Sequence, residues 1–468
     1  MFTTTAFGAL LGAAAAGYVI YQCLFAPLAK FPGPFWAKLS KVWRAYSTSR
    51  DHFHRDLVEL HRRYGDVVRI GPNELSVGDP TAFKEIYKAG NKFPKAESYS
   101  VIQGRRPFDL TGERSEKVHS EQRKLVARAY SMDSMVYLEP KINAVVESLT
   151  KKLDQLCGQT IDLGDWLQFF AFDVIGSVSF SREFGYVEAG DDQGVFQRIQ
   201  NSMGSAAWLM HAGWFFRVHQ RLQPLIGNWL ACNDRNGYFH NVARREVFAR
   251  MDRGGDNKDI LGQLLTVQKE KPQLNNINIS FMMTSNVFAG SDTTSIALRS
   301  ILYLLLTHPA AHDRLMCELQ ERESKGDLSE PVTFQQAESW PYLQAVMHEA
   351  LRLYSPAGFI LDREVPPGGM MIGGRHIPER VVVGTSAWVI HRLPEIWGPD
   401  VDEFKPERWL DGDKEGDLKR HFFAFGGGSR TCIGKNLSWL EIGKLIPTLM
   451  MRYKIKLADS TPMKEEYG

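Results

Sequence analysis

No charge interrupts the apolar run from Phe7 to Ala29, which holds Leu10, Leu11, the alanines Ala13 to Ala16, Val19, Ile20, Leu24 and Phe25. As a helix this run crosses a hydrocarbon core of about 30 Å. No cation precedes it, whereas Lys30, Lys38, Lys41 and Arg44 follow, so the positive-inside rule keeps the rest of the chain in the cytosol. A cleaved signal peptide is the competing reading, but its basic leading segment is missing. Phe31-Pro32-Gly33-Pro34 predicts a stiff hinge. The expected division is a membrane anchor over 1–29, a proline-rich hinge over 30–50 and one large domain over 51–468.

Inside that domain the pattern is mostly helical. Leu57, Leu60 and Tyr64 share a helical face that Gly65 ends, and Val67–Ile70 and Glu74–Val77 read as two strands around Gly71-Pro72-Asn73. Lys95 to Lys117 has few periodic apolar residues but carries Arg105, Arg106 and Arg114, which predicts a long loop of the kind that is often functional. Asp162 to Phe184, with Trp166, Phe169, Phe170, Phe172 and Phe180, reads as core. Gln197 to Tyr238 is an aromatic, interrupted helical pair around Trp208, Trp214 and Trp229; core packing and a mobile lid touching a membrane both fit it. The longest helical candidate runs from Ile279 to Thr307 and stops at His308-Pro309. Its middle reads Ala289-Gly290-Ser291-Asp292-Thr293-Thr294. Glycine inside a helix costs about 1 kcal/mol relative to alanine, and a buried aspartate costs more unless satisfied. A helix that keeps both is expected to make room for chemistry, the alternative being a kink with a hydrogen-bonded aspartate. Leu437, Leu440, Ile442, Leu445, Ile446 and Leu449 stripe a last helix from Lys435, and Tyr453–Leu457 reads as a strand after it. The fold class is mainly α with small β-sheets.

Apolar residues make up 44% of the 468, enough for a large core, and a net charge of +2 argues against nucleic acid as a partner. Cys23, Cys157, Cys232, Cys317 and Cys432 are odd in number and widely spaced, which is neither a disulfide framework nor a zinc pattern. His348-Glu349-Ala350-Leu351-Arg352 misses the zinc-protease HExxH at its last ligand. No phosphate-cradling motif occurs, so a redox enzyme of this sequence takes its electrons from another protein.

One cysteine stands in a setting that suits metal chemistry. Phe425-Gly426-Gly427-Gly428-Ser429-Arg430-Thr431-Cys432-Ile433-Gly434 presents a thiol on a glycine-rich loop, at the N-terminus of the last helix, where the helix dipole favours the thiolate. Glycines let backbone approach a flat porphyrin, and a thiolate on haem iron favours cleavage of a bound O–O bond. Phe425, Gly428, Arg430, Cys432 and Gly434 match, position for position, the haem-loop signature of the cytochrome P-450 superfamily. Five such positions coincide by chance on the order of once in a million starts.

The chain thus resembles a haem-thiolate monooxygenase over nearly its whole length, and in detail the microsomal enzymes of filamentous fungi related to pisatin demethylase. Tyr64-Gly65-Asp66-Val67-Val68-Arg69-Ile70-Gly71-Pro72-Asn73-Glu74 and Phe172-Asp173-Val174-Ile175-Gly176 carry the closer likeness. The resemblance implies haem b, iron protoporphyrin IX, ligated by Cys432, with His119, Arg123, Arg363 and Arg430 on its propionates. In the long helix Gly290 is implied to open a groove for dioxygen. Thr293 would hydrogen-bond the oxygen at the iron, and Asp292 would help relay protons. Glu349, Arg352 and Arg408 are implied to form a buried ion network behind the loop. The implied partners are NADPH–cytochrome P-450 reductase, cytochrome b5, the endoplasmic reticulum membrane and a lipophilic small molecule that is hydroxylated or O-demethylated in secondary metabolism or detoxification. The hairpin that members carry after the last helix is not recognisable before Gly468. A haem-thiolate isomerase or dehydratase without a reductase, and a non-catalytic haem-binding relative, remain open at this stage.

Overall fold

The computed structural model describes residues 2–90, 92–230, 237–254 and 258–463; Cys232 lies outside the described residues. Helix α1 (Phe2–Ile20) continues into a π-helical turn, Tyr21–Phe25. Ala6–Phe25 is long and apolar enough to cross a membrane by length and composition, and Leu10, Leu11, Leu24 and Phe25 face outward. The helix does not extend to Ala29. Ala26 precedes Pro27 and takes extended backbone, which the proline ring favours, and Leu28 then joins a buried cluster with Phe31, Leu75 and Ile372.

Residues 30–50 pack onto the globule. A Cβ on Gly33 would lie 2.1 Å from the Arg69 carbonyl oxygen, so glycine is what permits this close approach. Arg44 on α2 (Val42–Thr48) is fully buried and bonds Glu74 at 3.0 Å and both Asp362 oxygens at 3.1 and 3.0 Å. The expected strands form as the antiparallel pair β1 (Val67–Gly71) and β2 (Glu74–Val77).

The helices behind these strands carry the site. Ser115 caps α3 (Glu116–Val126) by accepting from the Val118 N–H, so the segment read as one loop to Lys117 already turns helical at Glu116. It also holds a short helix, Tyr99–Gln103, and a buried Arg106–Asp109 pair. Next come α4 (Glu139–Leu156) and α5 (Leu163–Phe180), and every side chain of α5 from Leu167 to Phe180 is buried. Such a helix belongs in the centre of a fold. Helices α6 (Val195–Leu209) and α7 (Gly213–Ile226) form the aromatic pair. Leu209 and Phe216 turn inward with Val101, whereas Trp214, Leu225 and Trp229 stay exposed, so the segment is core on one side only.

Helix α8 (Asn276–Thr307) crosses the molecule beside α5, capped by the Asn275 side chain and ended before Pro309. Helices α9 (Pro341–Leu353) and α10 (Lys435–Arg452) share with α5 and α8 one large apolar cluster. Between α9 and α10 lie β3 (Arg363–Glu364), the hairpin β4 (Met370–Ile372) and β5 (Arg375–Ile377), and β6 (Val382–Gly384). The larger sheet has the order β1-β2-β6-β3, with β2 and β6 parallel. The strand expected over Tyr453–Leu457 does not form. No strand pairs with it among the described residues, and the Tyr453 hydroxyl instead bonds the Thr150 carbonyl (2.9 Å) and Asp154 (2.8 Å) of α4.

Candidate active site

The cysteine loop is a folded turn. The Cys432 N–H donates to the Phe425 carbonyl at 2.8 Å. Gly426 and Gly428 have φ of +69° and +60°, and a Cβ on Gly428 would stand 2.3 Å from the Tyr87 carbonyl oxygen. Only glycine fits there. Gly434 sits at the N-cap of α10, and the N–H groups of Gly434 and Lys435 point at the Cys432 sulfur, with Arg123 nearby. Burial pushes the Cys432 thiol up, while these N–H groups and Arg123 act the other way and favour the thiolate. Metal binding deprotonates a coordinating thiol outright. Cys432 lies deep among protein atoms, yet its surface is open because it faces an internal cavity of about 460 Å³. A larger groove of about 670 Å³, between Trp36, Trp43, Tyr46 and Leu60, opens on the surface and shares no lining residue with this cavity.

One wall of the cavity is cationic. His119, Arg123, Arg363 and Arg430 all line it, as do Lys95 and Tyr99, which sequence reasoning missed. Lys95 was only the edge of an apparent loop; its burial and its pairing with Arg363 across an isolated β-bridge come from the fold. Burial first, then Arg363 and Arg430, push the Lys95 ammonium well down. His119 drops to about 3 through burial and the surrounding Arg430, Lys95, Arg123 and Arg363, and is therefore neutral. Arg430 bonds Glu116 at 2.9 and 2.7 Å, Arg123 holds the Thr431 carbonyl at 2.8 Å and Arg363 the Asp362 carbonyl at 2.9 Å. The Tyr99 hydroxyl lies beside Arg363 without a well-formed hydrogen bond. Like charges crowded at a buried wall are costly without counter-charge, so this donor set suits a ligand carrying carboxylates.

Opposite stands the middle of α8. Thr293 presents its hydroxyl to the cavity and donates it to the Ala289 carbonyl at 2.8 Å. The next residue, Thr294, turns to Ser438 of α10 at 2.8 Å. Burial pushes the Asp292 carboxyl up, and Gln168 of α5 donates to it at 3.3 Å. Gly290 lines the cavity and also packs closely on α5, where a Cβ would meet Ile175 Cδ1 at 3.0 Å.

A thiol on a glycine loop, a carboxylate-binding wall and an acid–hydroxyl pair thus surround one apolar chamber, and the family model for cytochrome P450 matches residues 30–468. The chain belongs to the cytochrome P450 family. It is 64% identical to the cytochrome P450 monooxygenase hepC of Aspergillus oryzae, over 96% of this chain and 91% of that protein. Pisatin demethylase of Fusarium vanettenii is 35% identical over 94% and 86%, and the cytochrome P450 monooxygenase cicH of Emericella nidulans 34% over 94% and 90%. P450s are haem-thiolate monooxygenases that act on small molecules with a redox partner.

The residues of this P450 fit haem. Cys432 supplies the thiolate, the glycine loop admits a flat macrocycle, and the cationic wall with the Tyr99 hydroxyl suits two propionates. Behind the loop, Arg352 grips Glu349 with two bonds of 2.8 Å and Arg408 adds a third of 2.8 Å. Trp409 Nε1 (2.9 Å) and the Lys405 N–H (3.0 Å) also donate to Glu349. Arg352 reaches on to the carbonyls of His391, Val401 and Glu403. These cations outweigh burial and hold the Glu349 carboxyl below the usual carboxylate range. Trp409 and Lys405 lie in the stretch before the loop, Phe404 to Trp409, but their contacts to Glu349 had no signal in the sequence.

Proposed function

We propose that this P450 hydroxylates or O-demethylates a lipophilic small molecule in fungal secondary metabolism or detoxification, anchored in the endoplasmic reticulum membrane with its domain in the cytosol. The observation that carries this reading is the chamber over Cys432. Ile199, Met203 and Met210 from the α6 segment, with Met282, Phe288 and Ala289 of α8, give it an apolar ceiling suited to a lipophilic guest. That one relative is named a demethylase supports O-demethylation as one form of the reaction.

Bound haem supplies the chemistry by which one oxygen atom of O2 enters the substrate while the other leaves as water. Cys432 holds the iron as thiolate, and Phe425 and Gly434 shape the loop around it. Arg123, Arg363, Arg430 and His119, joined by Lys95, would hold the propionates. The ceiling excludes water and sets the substrate's orientation. Asp292 holds a proton at the chamber wall, and Thr293 Oγ1, one residue on, passes it inward. Thr293→Ala is expected to lower product formed per NADPH on the order of tenfold while reductant consumption continues. Unchanged coupling contradicts the proton-delivery role.

Electrons come in this reading from NADPH–cytochrome P450 reductase, with cytochrome b5 as a second donor. Lys117, Lys124, Arg128, Lys419 and Arg420 are exposed. Lys419 and Arg420 are already paired with Glu415 and Asp417, which leaves α3 and the turn after it as the stronger basic face. Lys124→Glu tests the dock: reductase-supported turnover should fall several-fold at low salt, while peroxide-supported turnover stays as it was. Equal loss in both assays places the dock elsewhere.

A further inference from the structure

The carboxyl of Asp292 is held by a side chain from another helix. Gln168, buried on α5, donates through Nε2 to Asp292 Oδ1 at 3.3 Å and accepts through Oε1 from Arg299 Nη2 at 2.7 Å. Arg299 stands two turns beyond Asp292 on α8 but does not pair with it. Its Nε and Nη2 are instead anchored on the Gly164 carbonyl at 3.1 and 2.8 Å, at the start of α5. A Cβ on Gly164 would come within 3.0 Å of Arg299 Nε, so this seat is closely fitted. Gly164, Arg299, Gln168 and Asp292 form one hydrogen-bonded line that ends at the chamber wall.

The line has a direction. A guanidinium only donates, so Arg299 fixes the Gln168 amide with its oxygen toward the arginine and its NH2 toward the aspartate. Arg299 is the charged group that acts on Asp292, and it does so at one remove. A direct arginine–aspartate pair would hold the carboxylate ionised, typically by about 1–3 pKa units. A single amide bond of 3.3 Å does much less against burial. Oδ1 is engaged by Gln168, which leaves Oδ2 to carry a proton. Asp165 on α5 also interacts with Arg299, further diluting the cation's pull on Asp292.

We propose that Gln168, oriented by Arg299, is a positioning residue that binds Oδ1 of Asp292 in the place an arginine could take, so that the acid's proton sits on the oxygen turned away from α5. This rests on the proton-delivery reading of Asp292 and Thr293, and it adds the element that aims the proton of Asp292. Gln168→Met keeps the length and apolar packing of the side chain but removes both hydrogen bonds, which leaves Gly164 as the one remaining anchor of Arg299.

The test is the infrared difference spectrum of wild type minus Asp292→Asn, taken at neutral pH on the resting holoenzyme, beside the same subtraction in the Gln168→Met background. Wild type should show a protonated-carboxyl carbonyl band. In Gln168→Met that band should move to higher frequency, since its carbonyl loses a donor, or vanish if Arg299 swings across and ionises the acid. A band identical in both backgrounds, or none in wild type, overturns the proposal. Coupling reports separately on the underlying reading. Asp292→Asn and Gln168→Met should both waste reductant, on the order of tenfold for the former. Their reduced carbon monoxide spectra should match wild type. If Asp292→Asn stays coupled while the band shifts, Gln168 positions the acid but the acid is not the proton donor.

Discussion

Cys432→Ala is expected to abolish monooxygenation driven by a redox partner, leaving only the background of that partner alone. Among the described residues Cys432 is the cysteine on the chamber wall; Cys23, Cys157 and Cys317 lie outside the lining. Without sulfur the iron has no thiolate to push electron density toward the O–O bond. The fold should survive, because the loop is set by the Cys432 N–H to the Phe425 carbonyl and by the positive φ of Gly426 and Gly428, none of which needs the side chain. Circular dichroism and the turnover assay together check this. A turnover loss smaller than about tenfold, worth only about 1.4 kcal/mol of barrier, contradicts the assignment.

Arg352→Ala is expected to cost about 3–5 kcal/mol of stability, because it strips the buried centre of an ion network. Glu349 and Arg352 are both fully buried. The variant leaves Glu349 with Arg408 alone as a charged partner and orphans the carbonyls of His391, Val401 and Glu403. Those carbonyls belong to the segment between α9 and the cysteine loop, so weaker haem retention should accompany the lower urea midpoint. A loss below about 1 kcal/mol, the worth of an exposed pair, would mean the network adds little.

Much of this was legible in the sequence, for identifiable reasons. The haem loop is written in residue types at fixed spacing, and the hairpin β1–β2 and helices α8 and α10 follow from periodicity that one segment carries alone. What could not be read depends on segments meeting from afar. Arg44 finds Asp362 across most of the chain, Lys95 meets Arg363 through a bridge, and Gln168 meets Asp292 only because α5 packs on α8. The packing of Gly290 on Ile175 of α5 is a further contact of this kind. Tyr453–Leu457 had strand character without a partner strand, and local propensity does not make a sheet. The N–H groups of Gly434 and Lys435 favour the Cys432 thiolate as the helix N-terminus leads one to expect, but the opposing burial had no signal in the sequence.

The central claim is that Cys432 binds haem iron as thiolate in this chamber. The most direct test is the difference spectrum of the dithionite-reduced protein with and without carbon monoxide. A red-shifted Soret band, the hallmark of thiolate-ligated haem, is the predicted result. A band at the ordinary haem-protein position, or a purified chain that takes up no haem, would contradict it.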